Sequence, residues 1–101
     1  MKSLIFRNGT IISEVRIINK EIEYGFNGRY FNLDGMLKII AKTNLNVLLK
    51  NFPELSRLPK QEAERIAIER IKKQIDECDN EDELKEWVIN EMIQDGWILV
   101  D

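Results

Sequence analysis

Histidine is absent from the 101 residues. Its absence removes Ser-His and Cys-His nucleophile pairs and most zinc sites together. A single cysteine, Cys78, leaves no internal disulfide and fits a reducing compartment. It lies in D-E-C-D-N-E-D, where the flanking acids disfavour a thiolate, so it reads as the last core residue of a helix. Long apolar runs are missing too. None approaches the ~18 residues of a membrane span. Leu4-Ile5-Phe6 is too brief for the apolar part of a signal peptide. Only two prolines and five glycines punctuate the chain, with no internal repeat, linker or low-complexity segment.

Cofactor and metal signatures are likewise lacking. Gly25-x-x-Gly28 reads as a hairpin turn, not as a strand-to-helix phosphate loop. The acids Asp76, Glu77, Asp79, Glu81, Asp82 and Glu83 lack the central glycine and bidentate terminal Glu of a calcium loop, and read as a solvated turn between helices. No cofactor, no metal ligand and no catalytic residue is expected. Paired carboxylates for glycoside chemistry would need a cleft, and nothing marks one.

What is present is a pattern. A chain of this length supports one domain, and 44% apolar with 33% charged residues is ordinary globular composition. The stretch Glu21–Leu33 reads as two strands joined by Asn27-Gly28, a pair suited to a type I′ turn. That turn sets Phe26 opposite Arg29, Gly25 opposite Tyr30 and Tyr24 opposite Phe31. A turn at Asn19-Lys20 sets Ile17 opposite Ile22 and Val15 opposite Tyr24. A turn at Asn8-Gly9 sets Phe6 opposite Ile11, Ile5 opposite Ile12 and Leu4 opposite Ser13. Side chains alternate between faces, so one face collects Leu4, Phe6, Ile11, Val15, Ile17, Ile22, Tyr24, Phe26 and Phe31.

The expected fold is α+β, in one domain over 1–101. It has a four-stranded antiparallel meander over about 3–7, 10–18, 21–26 and 29–33. Two or three helices follow, over about 34–51, 59–78 and 81–95, packed on one sheet face. A kink is expected near Thr43-Asn44, an end at Phe52-Pro53 and a loop from Pro53 to Leu58. Asn80 caps the last helix, Glu83 reaches back, and Asp95-Gly96 ends it. A short strand, 97–100, is placed beside the first.

Charge is uneven. Residues 1–60 hold ten Lys/Arg against five Asp/Glu, a net of +5, whereas residues 61–101 hold five against thirteen, a net of −8. Complementary parts of one fold account for it. So would a basic sheet that meets an anion, or an acidic helical face that mimics one. Nucleic acid is not an expected partner. The connection between Leu45–Phe52 and Pro59–Cys78 is too long for a helix-turn-helix, and the second helix would lead with Glu62 and Glu64, which phosphates repel. No membrane partner is expected.

Two features point outward. Arg29 falls on the core face, at the sheet margin or beside a pocket where it would grip an anion stacked on Tyr24 and Phe26, as guanidinium forks suit phosphate. The opposite face carries Ile5, Ile12, Ile18 and Tyr30. A contiguous apolar patch of this kind marks an interface, with a partner protein or a second copy. A small, histidine-free chain rich in Lys, Ile and Asn is similar in composition to accessory proteins of phages and mobile elements. The expectation is a cytoplasmic, non-enzymatic binding protein, a homo-dimer or higher, that inhibits a host factor by protein–protein contact. The alternative is a binder that sequesters an anionic, nucleotide-like small molecule.

Overall fold

The computed structural model describes residues 2–100. It is α+β, with a five-stranded antiparallel sheet in the order β4-β3-β2-β1-β5. The strands are β1 (Lys2–Asn8), β2 (Ile11–Ile18), β3 (Glu21–Phe26), β4 (Arg29–Asn32) and β5 (Ile98–Leu99). The helices are α1 (Leu33–Thr43), α2 (Leu45–Leu48), α3 (Lys60–Asp76) and α4 (Glu81–Gln94). Backbone contacts gather the chain into two compact units. One joins the residues up to Leu33 with those from Cys78 onward, and the other is Asp34–Glu77.

In the first unit, the second and third hairpins have the register expected from their turns. Tyr24 opposes Phe31, Gly25 opposes Tyr30, and Val15 opposes Tyr24. Asn19, Lys20, Asn27 and Gly28 all take positive φ, as type I′ turns require. The first hairpin corrects the expectation. Asn8 pairs with Ile11, so the loop is Gly9-Thr10 and not Asn8-Gly9. Phe6 therefore opposes Ser13, Leu4 opposes Val15, and Ile5 opposes Glu14 instead of Ile12. Of the loop residues only Gly9 has positive φ, at 62°, the mark of a type II′ turn, which wants glycine first. The shift slides the partners by two residues, so no side chain changes face.

The rows across one face are Leu99–Phe6–Ser13–Phe26–Arg29 and Leu4–Val15–Tyr24–Phe31. Phe6, Ser13, Val15 and Ile17 are fully buried there. Ile11 shares this face but is half exposed at its end. Helix α4 packs against β1 and β2 and buries Leu84, Val88 and Met92. Each such side chain withdrawn from water contributes about 1.5–3 kcal/mol. Asn80 caps α4, its Oδ1 accepting from Glu83 N at 2.9 Å. Glu83 reaches back one residue further than expected, to Asp79 N at 2.7 Å. The first turn is tied to the sheet by the Lys2–Asp82 ion pair and by Asn19 N donating to Glu81 at 3.2 Å.

At the other end of α4, Trp97 N donates to Met92 O and Gly96 N to Ile93 O, both at 3.0 Å, while Gly96 sits at φ 92°. This is a Schellman close. It turns the chain so that β5 lies along β1, as expected for residues 97–100, although only Ile98–Leu99 form ladder pairs.

Ser13 is the small member of its row, flanked by two phenyl rings. Its hydroxyl is buried with no hydrogen-bond partner. An orphan of this kind costs about 1–3 kcal/mol. Ser13→Ala keeps the volume and is expected to raise stability by roughly 1 kcal/mol in urea unfolding. A loss of stability would mean that the hydroxyl is satisfied after all.

In the unit Asp34–Glu77 the long helix expected over 34–51 is divided. Thr43 Oγ1 donates back to Ile39 O at 3.0 Å, and Asn44 leaves the helical region at φ −157°. Helix α2 is a single turn. Pro53–Arg57, expected as loop, forms a 3-10 turn with proline at its start. Helix α3 buries Ala63, Ala67, Ile68, Ile71 and Ile75. Asp34 accepts from both Lys38, at 2.9 Å, and Lys72, at 2.7 Å. These lysines hold its carboxyl below the usual carboxylate range, Lys72 most strongly. Arg70 pairs with Glu54 at 2.5 Å and lies over the Phe52 ring.

Candidate functional site: the outer face of the sheet

The sheet face opposite α4 is built from the alternate residues of each strand. Its rows are Ile98–Arg7–Ile12, then Ile5–Glu14–Gly25–Tyr30, then Ser3–Arg16–Glu23–Asn32. Val100 N donates to Ile5 O at 2.7 Å, which extends β5 by one residue and adds Val100 to the second row. Alternation then puts Ile5, Ile98 and Val100 side by side, with Ile12 diagonal to Ile5 across Arg7. Ile12 is 50% exposed, Ile98 58% and Val100 56%. Ile18, at the far end of β2, and Tyr30 are exposed as well, while Ile5 is half-buried among its neighbours.

All four residues picked from the sequence, Ile5, Ile12, Ile18 and Tyr30, therefore lie on this face. Ile98 and Val100 escaped sequence reasoning. A three-residue apolar tail has no periodicity of its own, and only its pairing with β1 assigns its faces.

The centre of the face is polar and internally satisfied. Tyr30 lies flat across Gly25 and reaches β2. Its hydroxyl donates to Glu14 Oε1 at 2.7 Å and accepts from Arg16 Nη2 at 2.5 Å. Ser3 donates to Glu14 Oε2 at 2.8 Å. The Arg16 guanidinium sits 3.9 Å from the Tyr30 ring centroid, a cation–π contact. Gly25 makes this possible, since a Cβ there would stand 2.6 Å from Tyr30 Cε1. A lone glycine in a strand interior is the sequence signal for such a close approach.

Beside the tyrosine is a hollow of about 320 Å³. Ile12, Glu14, Gly25 and Tyr30 form it, with Thr10 and Asn27 from two hairpin tips on its rim.

The network shifts both partners' titration. Its hydrogen bond to Tyr30 lowers the Glu14 carboxyl, and the same bond raises the Tyr30 phenol. The signs follow. A depressed Glu14 contributes stability above its unfolded pKa, lost as pH falls through the folded value. A raised Tyr30 contributes below its unfolded pKa, lost as pH rises through the folded value. The other tyrosine, Tyr24, is raised by burial and then by Glu91 and Asp95. Both tyrosines of the native chain are thus expected to ionise at higher pH than a free phenol in ultraviolet titration. Glu14→Gln should return one of them toward the ordinary value, and no change would remove the Tyr30–Glu14 bond from the account.

The residues of the anion-binding alternative are placed differently. Tyr24 is buried on the α4 face. Phe26 packs on Trp97 with ring centroids 5.9 Å apart. Arg29 is exposed, opposite Phe26. An anion drawn toward Tyr24 would meet the negative field of Glu91 and Asp95 that already raises its phenol.

No family model, no curated protein and no solved structure matches the chain. Among the described residues no group of three or more His, Cys, Asp or Glu could hold a metal ion. No helix among them is long and apolar enough to cross a membrane.

Proposed function

We propose that the chain is a non-enzymatic binding protein that works by protein–protein contact through the outer face of its sheet. In this reading it is a phage or mobile-element accessory protein, acting in the host cytoplasm, that inhibits a host factor by covering part of its surface. The observation that carries it is the half-buried Ile5 with exposed Ile98 and Val100 beside it and exposed Ile12 diagonal to it past Arg7, next to a polar centre whose groups already hold one another. Such a surface loses little on drying. Its apolar margin gains from burial, and its charges enter a contact already hydrogen-bonded instead of orphaned.

Affinity capture from host lysate tests it. The wild-type chain should retain a protein that Ile12→Asp releases and that Tyr30→Ala holds weakly. Retention unaffected by both substitutions would remove this face from the function.

A further inference from the structure

We infer that the protein covering the outer sheet face presents a carboxylate to Arg7, from an aspartate or glutamate set among apolar side chains. This rests on the reading of the face as a contact surface and adds the chemistry of its occupant.

Strand pairing sets Arg7 inside the aliphatic part of the face. It stands between two isoleucines in the row Ile98–Arg7–Ile12, with Ile5 two residues before it on the same side of β1. Arg7 is exposed, and its guanidinium has no ion pair or hydrogen bond among the described residues. Arg16, the other arginine of this face, is held by Glu14 and Tyr30. Glu14 lies diagonal to Arg7, but its carboxylate is turned to Tyr30, Ser3 and Arg16. The charges of the polar centre thus enter a contact already paired, whereas Arg7, outside that centre, does not.

Burial decides what must meet it. Ile12 and Ile98 are each exposed by half or more. A partner that dries them also takes water from the guanidinium between them. An ionised group buried without a counter-charge loses more than its apolar neighbours gain. The occupant therefore brings an anion of its own. A guanidinium fork matches the two oxygens of a carboxylate, and arginines met in this way are enriched among the residues that dominate protein contacts.

The number of charges selects a carboxylate over a phosphate. Arg7 is one cation, and a second negative charge on its ligand would stand next to Glu14. Farther along the strands Glu23 and Glu21 lie roughly 14 and 20 Å from the Arg7 row, so a polyanion laid along the face would be repelled. The isoleucines on both sides of Arg7 set the other requirement, apolar side chains flanking the acid.

Panning a displayed random peptide library on the immobilised full chain reads the result. Recovered peptides should carry Asp or Glu between apolar residues. Their binding should fall about tenfold or more with Arg7→Gln, the loss of a charge-assisted contact, and should fall with Ile12→Ala as well. Arg7→Glu should turn the selection toward Lys or Arg at the same place. Arg7 is an exposed side chain, and circular dichroism matching the wild type verifies that its variants fold. Apolar peptides without an acid would overturn the inference. So would a pool with no enrichment, acidic peptides that bind Arg7→Gln as well as the wild type, or tighter binding when phosphoserine replaces the acid. The two claims fail separately. Peptides that need Ile12 and ignore Arg7 sink the carboxylate and leave the face standing as a contact. Acidic peptides that need Arg7, with host capture indifferent to Ile12→Asp and Tyr30→Ala, do the reverse.

Discussion

Phe6→Ala is expected to destabilise the sheet unit by about 3–5 kcal/mol. Phe6 is the largest side chain in the fully buried set, in the row Leu99–Phe6–Ser13–Phe26 under α4. Its immediate partner across the hairpin is Ser13, too small to collapse into the space a lost phenyl would leave. The cavity term therefore adds to the lost transfer energy. Domains of this size hold about 5–15 kcal/mol in all, so a large part of the folded population's margin would go. Urea unfolding followed by tryptophan fluorescence measures it, with Trp87 and Trp97 both half-buried reporters in this unit. Ile5→Ala, one residue away on the other face, should cost much less. Equal losses at the two positions would mean that the faces are assigned wrongly.

Gly25→Ala should be costly in the wild-type chain and close to neutral without Tyr30. In the wild-type chain the new methyl would meet Tyr30 Cε1 at 2.6 Å and crowd Glu14 O at 3.3 Å. The ring must swing away, breaking the bonds to Glu14 and Arg16. Overpacking of this kind costs about 1–3 kcal/mol. In a Tyr30→Ala background the ring is gone and only the Glu14 backbone oxygen, at 3.3 Å, still crowds the new methyl. There Gly25→Ala should cost far less than in the wild-type chain, because alanine's smaller loss of backbone entropy, about 0.5–1 kcal/mol, offsets the remaining contact with Glu14 O. A double-mutant cycle reads the coupling directly. Additive effects would show that Tyr30 does not lie across Gly25 in solution. Since Tyr30 also walls the hollow on the outer face, Gly25→Ala should weaken whatever contact that hollow makes.

Much of this architecture could be read without coordinates, for local reasons. Asn27-Gly28 and Asn19-Lys20 each set a two-residue loop, and a two-residue loop dictates every pair behind it. Alternation then assigns the faces. Even the misplaced first turn left the faces right, because Asn8-Gly9 and Gly9-Thr10 differ by a shift of the whole pairing and not of its parity. That error had a physical source. Asn-Gly and Gly-Thr both satisfy a tight turn, and the choice between them depends on which pairs of β1 and β2 pack best under α4. Asn80 and Gly96 likewise announced the ends of α4. Thr43-Asn44 announced a weak point, but whether it bends or breaks the helix turns on packing.

The candidate site divides along the same line. Strand alternation alone placed Ile5, Ile12, Ile18 and Tyr30 on one face and Tyr24, Phe26 and Arg29 on the other, because that property belongs to neighbouring residues. Tertiary structure decided the rest. It laid Tyr30 over Gly25, joined its hydroxyl to Glu14 and Arg16, and closed Tyr24 beneath α4. It also brought Ile98 and Val100 alongside Ile5 from more than ninety residues away. Periodicity carries no information about contacts so remote in the chain. They are set by which side chains fill the space the strands and helix leave, and that is known only once the whole unit is packed.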